Sequence, residues 1–299
     1  MTTPEYLKKG DTVYIVAPAG KIDYAKITKA KQYLETLDLK VKIGKNIKNN
    51  YYKFSAKPLQ RLSDFQDAIN DNKTKAIFCA RGGYGSIQII DKLNFSKFLN
   101  NPKWIIGYSD ITVFHSYLNK MVRVCSIHGT MPINYNNLDE NKSLSSLKKI
   151  IFGKKIEYKI KTSKQNILGS AQGELVGGNL SIIYSLRGTP YDINTYKKIL
   201  FIEDVGEYLY TIDRIMQNLK LGKKLKNLKA LIVGSFTNIK EKKSDFGMSV
   251  KDIILNAVKE YNYPVIFDFP AGHQEQNFAL KLGCKVKIVS NKNETIISY

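Results

Sequence analysis

The chain has 299 residues, 43% of them hydrophobic and 11% aromatic, which is enough apolar mass for a substantial core in two domains and excludes a disordered chain. Lys and Arg number 47 against 26 Asp and Glu, a net charge of +21, but the lysines are scattered in short clusters such as Lys148 with Lys149 and Lys223 with Lys224. We therefore read them as solvated surface and expect no nucleic-acid partner. Three cysteines without Cys-x-x-Cys spacing suggest buried thiols, neither a disulfide framework nor a zinc site. The first ten residues lack an apolar signal core and no run approaches the ~20 apolar residues of a membrane span, so a cytoplasmic protein with no membrane partner is expected.

Residues 12–17 predict a short apolar strand, 26–37 a helix and 40–43 a second strand, a βαβ opening. Tyr51 and Tyr52 fall in a polar loop. Helical spacing over 58–70 begins at Pro58, and a buried strand over 76–80 ends at Arg81-Gly82-Gly83-Tyr84-Gly85. Trp104-Ile105-Ile106-Gly107 then runs as a strand through Tyr108-Ser109-Asp110 into a helix, and 122–127 is strand-like. Alternating strands and helices imply a parallel sheet. Its ligands lie beyond the carboxyl ends of the strands, where the glycine loop and Ser109 both fall. Residues 136–168 lose this pattern in Asn, Lys and Ser and are predicted to link a domain over 1–135 to one over 169–299. In the second domain, strands are expected over 173–176, 199–202 and 230–233, helices over 180–186, 210–219 and 251–258, and extended pieces over 265–267, 278–280 and 286–289. The α/β class thus holds throughout, with the second half mixed and richer in β.

Ser109 sits where a strand-to-helix turn lifts a hydroxyl out of the sheet and frees the next backbone N–H for an oxyanion. Gly-Tyr-Ser-Asp lacks the second glycine of the Gly-x-Ser-x-Gly elbow, and serine also caps helices, so the turn alone leaves both roles open. A serine nucleophile needs a base. His115, six residues on, is rotated ~600° around the helix and suits packing, and His128 has no neighbouring carboxylate, which suits a structural role. His273 lies in the loop Phe269-Pro270-Ala271-Gly272-His273-Gln274, a setting that projects a side chain into a cleft. To orient that imidazole, Glu203 at the end of Ile199-Leu200-Phe201-Ile202 ranks first and Asp204 second, since a carboxylate ending a buried strand must be paired; Asp204 and Glu207 also suit a helix start. No His-Glu-x-x-His, calcium loop or Gly-x-x-x-x-Gly-Lys is present, so no metal or cofactor is predicted, although Gly82-Gly83-Tyr84-Gly85 could cradle a phosphate.

Together Arg81-Gly82-Gly83-Tyr84-Gly85, Gly107-Tyr108-Ser109-Asp110-Ile111-Thr112, Gly177-Gly178-Asn179-Leu180, Ile202-Glu203-Asp204 with Ile212-Asp213-Arg214, and Gly272-His273 resemble the LD-carboxypeptidases, collinearly over nearly the whole chain. The resemblance implies a flavodoxin-like N-terminal nucleophile domain, a β-richer C-terminal domain, a cleft between them and a homodimer. It implies Ser109 as nucleophile, His273 as base and Glu203 as its orienting partner. The reaction would be removal of the terminal D-alanine from cytoplasmic murein tetrapeptides during peptidoglycan recycling. Oxyanion donors are then expected at the backbone N–H of Asp110 and of Gly82 or Gly83, and substrate contacts at Arg81, Tyr84 and Asn179. For Arg81 a structural ion pair is the competing role. Within the superfamily, the microcin C7 self-immunity proteins, which hydrolyse acyl-sulfamoyl adenylates with the same triad, are the alternative. A basic nucleic-acid-binding protein using Arg81 to Gly85 is the alternative from another class, and that segment lacks the aromatic alternation of an RNA-binding strand.

Overall fold

Apolar strands alternating with helices set the architecture, described by a computed structural model for residues 1–135 and 141–299. In chain order the elements are β1 (Thr12–Val16), α1 (Tyr24–Thr36), β2 (Lys40–Ile43), α2 (Pro58–Asn70), β3 (Thr74–Cys79), α3 (Ser96–Asn100), β4 (Trp104–Gly107), α4 (Thr112–Tyr117), β5 (Ser126–His128), α5 (Lys142–Ile151), β6 (Glu157–Lys161), β7 (Gly169–Asn179), α6 (Leu180–Ser185), β8 (Ile199–Val205), α7 (Leu209–Leu221), β9 (Ala230–Thr237), α8 (Lys243–Phe246), α9 (Val250–Val258), β10 (Val265–Ile266), β11 (Leu280–Leu282), β12 (Lys285–Ser290) and β13 (Glu294–Ser298).

The first sheet has the order β11-β5-β4-β3-β1-β2, with β1 to β5 parallel and β11 antiparallel on the edge. Its five parallel strands therefore follow the flavodoxin-like order 2-1-3-4-5, and the crevice where the order reverses lies between β1 and β3. Strand β4 is buried at every position, as expected for a central parallel strand covered on both faces. The second sheet runs β10-β9-β8-β7-β12-β13-β6, parallel from β10 to β7 and antiparallel beyond. One apolar core joins the two halves, from Val13 and Trp104 of the first sheet to Phe201, Ile232 and Ile288 of the second.

The stretch expected as a linker is built differently. Its residues 136–140 lie outside the described residues, and the remainder carries α5 and β6. Asn141 accepts the Leu144 N–H at 3.0 Å as the helix cap, and Leu144, Leu147, Ile150 and Ile151 insert into the shared core. Strand β6 buries alternate residues and pairs with β13, which the sequence reading did not resolve. Residues 118–122 continue α4 as a wider helical turn, Arg123 takes a left-handed conformation with φ 61°, and β5 starts only at Ser126. The C-terminal half also returns to the first sheet, because β11 pairs with β5 while β12 pairs with β7.

Candidate active site

Ser109 follows β4 and the extended Tyr108, and its own backbone is left-handed, with φ 65°. A β-carbon in that region costs about 1–3 kcal/mol and persists where the surroundings over-determine it, as at a nucleophile elbow. The glycine loop after β3 comes against it. A Cβ added at Gly82 would lie 2.8 Å from Ser109 Cβ, 3.0 Å from its Oγ and 3.4 Å from Asp110 N, a space only glycine leaves open. The loop is held from below: the Asp110 carboxylate accepts the Ser86 N–H at 2.9 Å, and the buried Arg61 guanidinium donates to Gly85 O at 2.9 Å, to Pro18 O and to Ala56 O at 3.1 Å. Burial pushes the Asp110 carboxyl above its ordinary range.

Glu203 lies in β8 with no solvent exposure, and its Oε2 accepts the Nδ1–H of His273 at 2.7 Å. That bond fixes the tautomer, leaving Nε2 as the acceptor. Gly272 makes the approach possible. It has φ 117°, and a Cβ there would meet Ser235 Oγ at 2.5 Å and Glu203 Oε2 at 2.7 Å. The His273 loop is pinned further by Thr237, which donates to His273 O at 2.8 Å, and by Asn277, whose Oδ1 accepts the Gly272 N–H at 2.9 Å and the His128 Nε2–H at 3.1 Å. The Tyr108 ring packs edge-on to the His273 ring with centroids 4.9 Å apart, bringing the imidazole beside the residue that precedes Ser109. Burial pushes the Tyr108 phenol up to about 12, so it stays protonated and donates to Asn134 Oδ1 at 3.1 Å. Tyr108, Asn277 and Thr237 were not singled out from the sequence; only the position of Tyr108 next to Ser109 offered a signal.

His115 and His128 are structural, as their surroundings suggested. His115 Nε2–H donates to Gly107 O at 2.9 Å and its Nδ1 accepts from Ser126 Oγ at 2.8 Å, which ties α4 to the end of β4 and to β5. Burial pushes the two imidazoles down to about 4 and about 3, below the ~6.5 of an unfolded histidine. Because the folded values are depressed, their contribution to stability is present above about pH 6.5 and is lost as the pH falls towards 4 and 3. We expect both rings to remain neutral at pH 5 in NMR spectra of the native protein and to titrate near 6.5 only in denaturant. Native-state titration of either ring near 6.5 would contradict this.

The remaining candidates divide. Arg81 donates to Lys21 O at 2.7 Å and makes no ion pair among the described residues. Tyr84 is 45% exposed on the glycine loop, with the Lys53 ammonium 5.0 Å from its ring. Asn179 is buried: its Oδ1 caps α6 by accepting the Ile182 N–H at 3.1 Å, and its Nδ2 donates to Asp204 at 2.9 Å. Asp204 also accepts from Ser181 and Val205, and burial pushes it up to about 6; its hydrogen bonds make it a hub for the start of α6, whereas the carboxylate bonded to His273 is Glu203. Glu207 accepts from Ser181 Oγ at 3.2 Å. A cavity of about 510 Å³ opens beside the site, lined by Tyr108, Asn134, Lys142, Ser143, Gln274 and Asn277. Among the described residues no cluster of His, Cys, Asp and Glu side chains is arranged to hold a metal ion, and no helix is long and apolar enough to cross a membrane.

Two family models match the chain, the LD-carboxypeptidase N-terminal domain over residues 13–129 and the LD-carboxypeptidase C-terminal domain over residues 172–288. The chain belongs to the LD-carboxypeptidase family. Among the family's relatives, the probable murein peptide carboxypeptidase of Bacillus subtilis is 35% identical over 98% of this chain and 93% of its own length. The murein tetrapeptide carboxypeptidase of Pseudomonas aeruginosa is 27% identical over 94% of each. Among solved structures, the muramoyltetrapeptide carboxypeptidase from Oxalobacter formigenes superposes with a TM-score of 0.87 at 26% identity, covering 96% of this chain and 98% of its own. The microcin C7 self immunity protein MccF, in complex with aspartyl sulfamoyl adenosine, shares the fold at TM-score 0.86 and 20% identity, covering 99% of this chain and 98% of its own. The Ser109 turn and the glycine loop lie in the first matched domain, and Glu203 and His273 in the second.

Proposed function

We propose that this chain is a serine LD-carboxypeptidase that removes the terminal D-alanine from murein tetrapeptides, with Ser109, His273 and Glu203 as its catalytic triad. The observation that carries the reading is the buried Glu203 carboxylate on His273 Nδ1 at 2.7 Å, on a loop that abuts the strained Ser109 turn through Tyr108. With Nδ1 committed to Glu203, Nε2 takes the Ser109 proton as Oγ attacks the carbonyl joining an L-centre to D-alanine. The oxyanion is received by the backbone N–H of Asp110 and of Gly82 or Gly83. His273 then protonates the departing amine, and a water activated by the same imidazole releases the acyl group. Arg81 and Tyr84 flank the glycine loop and are assigned to the substrate, Arg81 to its free carboxylate. Asn179, already committed to α6 and Asp204, supports the site from behind. The relatives named as murein peptidases support this substrate class, and the reading carries with it a cytoplasmic, homodimeric enzyme of peptidoglycan recycling whose two domains meet at the site.

Replacing Gly82 by alanine is expected to lower kcat about 100-fold or more, because the added methyl collides with Ser109 and displaces an oxyanion donor, while the circular dichroism spectrum is retained. Substrate class is tested by comparing kcat/KM for a murein tetrapeptide with that for an aminoacyl sulfamoyl adenosine. Release of D-alanine with no cleavage of the nucleotide supports the peptidase; the reverse pattern overturns it in favour of an immunity-type hydrolase.

A further inference from the structure

Away from the site, two cysteines 159 positions apart in sequence meet at the seam between the two sheets. Cys125 precedes β5 and is 1% exposed, whereas Cys284 occupies the two-residue link between β11 of the first sheet and β12 of the second and is partly exposed. Their sulfurs are 3.1 Å apart, with Thr3 Oγ1 3.6 Å from the Cys125 sulfur. The shared hydrogen bond holds the Cys284 thiol down at about 7, with the Lys281 ammonium adding to the effect, and pushes Cys125 up. The third cysteine, Cys79, is fully buried in the first sheet and its thiol is pushed up by burial.

We propose that Cys125 and Cys284 form a redox-responsive pair that a peroxide converts to a disulfide, stapling the link between the two sheets to β5. The more exposed thiolate, Cys284, attacks one peroxide oxygen, the O–O bond breaks, and the departing oxygen leaves as water, giving a sulfenic acid on Cys284. The Cys125 sulfur then attacks the Cys284 sulfur and displaces the hydroxyl, which takes the Cys125 proton and leaves as a second water. Two thiols lose two electrons, and one peroxide is reduced to two waters. The bond needs the sulfurs to close by about 1 Å to reach the ~2.05 Å of a disulfide, within the reach of side-chain rotation. It would close most of the C-terminal half into one covalent loop, which constrains the unfolded chain and raises Tm on the order of 10 °C. The inference does not depend on the reaction at Ser109.

The test treats the full-length wild-type protein with equimolar hydrogen peroxide, blocks remaining thiols with N-ethylmaleimide under denaturing conditions and maps the unreduced tryptic peptides. The expected result is an intramolecular Cys125–Cys284 link with Cys79 blocked by the maleimide, a raised Tm, and reversal of both by dithiothreitol. In Cys125→Ser the reaction should stop at a Cys284 sulfenic acid trapped by dimedone. A wild-type protein in which Cys284 is left as a thiol, is oxidised without a partner, or is linked between chains would overturn the proposal.

Discussion

Replacing Ser109 by alanine is expected to lower kcat on the murein tetrapeptide by about five to six orders of magnitude, with KM nearly unchanged. The size follows from the role: without the hydroxyl no acyl-enzyme forms, and only binding and the oxyanion donors remain to assist water. The comparison is a clean one because alanine keeps the β-carbon of a residue at φ 65°, so the strain at the turn is common to both proteins. Steady-state kinetics with a thermal melt separate the cases. A Ser109→Ala enzyme within tenfold of the wild type would exclude a nucleophile at this position.

Replacing Glu203 by glutamine is expected to cost about 10⁴-fold in kcat while the protein stays folded. The carboxylate has no solvent exposure, and its Oε2 is the acceptor for His273 Nδ1–H. Glutamine has nearly the same shape and fits between Gly234 and Gly272, but its amide NH₂ facing His273 would require Nδ1 to accept, moving the proton to Nε2 and removing the base. Single-turnover kinetics with mass detection would measure the loss at the acylation step. Retention of activity within tenfold would show that the imidazole is oriented by another group.

The three residues proposed as the triad are legible in the sequence because each breaks the pattern of an apolar strand or of the loop that follows one. Ser109 interrupts an apolar strand, Glu203 is a charge where the run from Ile199 to Ile202 demands burial, and His273 follows a proline, an alanine and a glycine. Asn179 shows the opposite case. An asparagine directly before Leu-Ser-Ile-Ile is a helix-cap signature, and the structure uses it as one, committing to α6 a side chain that the family resemblance suggests for substrate. The helix α5 was hidden by its Lys and Ser content, although Leu144, Leu147 and Ile150 recur at helical spacing. The antiparallel strand β6 was hidden by its exposed face, on which Glu157, Lys159 and Lys161 alternate with Tyr158 and Ile160. What local pattern could not supply is pairing over long range. Asn277 reaches His128 across 149 positions, a contact fixed only when β11 returns to pair with β5.

The hydrolytic assignment meets its most direct test in mass-spectrometric product analysis of a murein tetrapeptide incubated with the wild-type protein and, in parallel, with Ser109→Ala. The expected result is loss of one D-alanine with the wild type alone, which establishes the bond cleaved and the nucleophile together. An intact tetrapeptide in both reactions would contradict the murein substrate, and D-alanine release by both proteins would contradict Ser109 as the nucleophile.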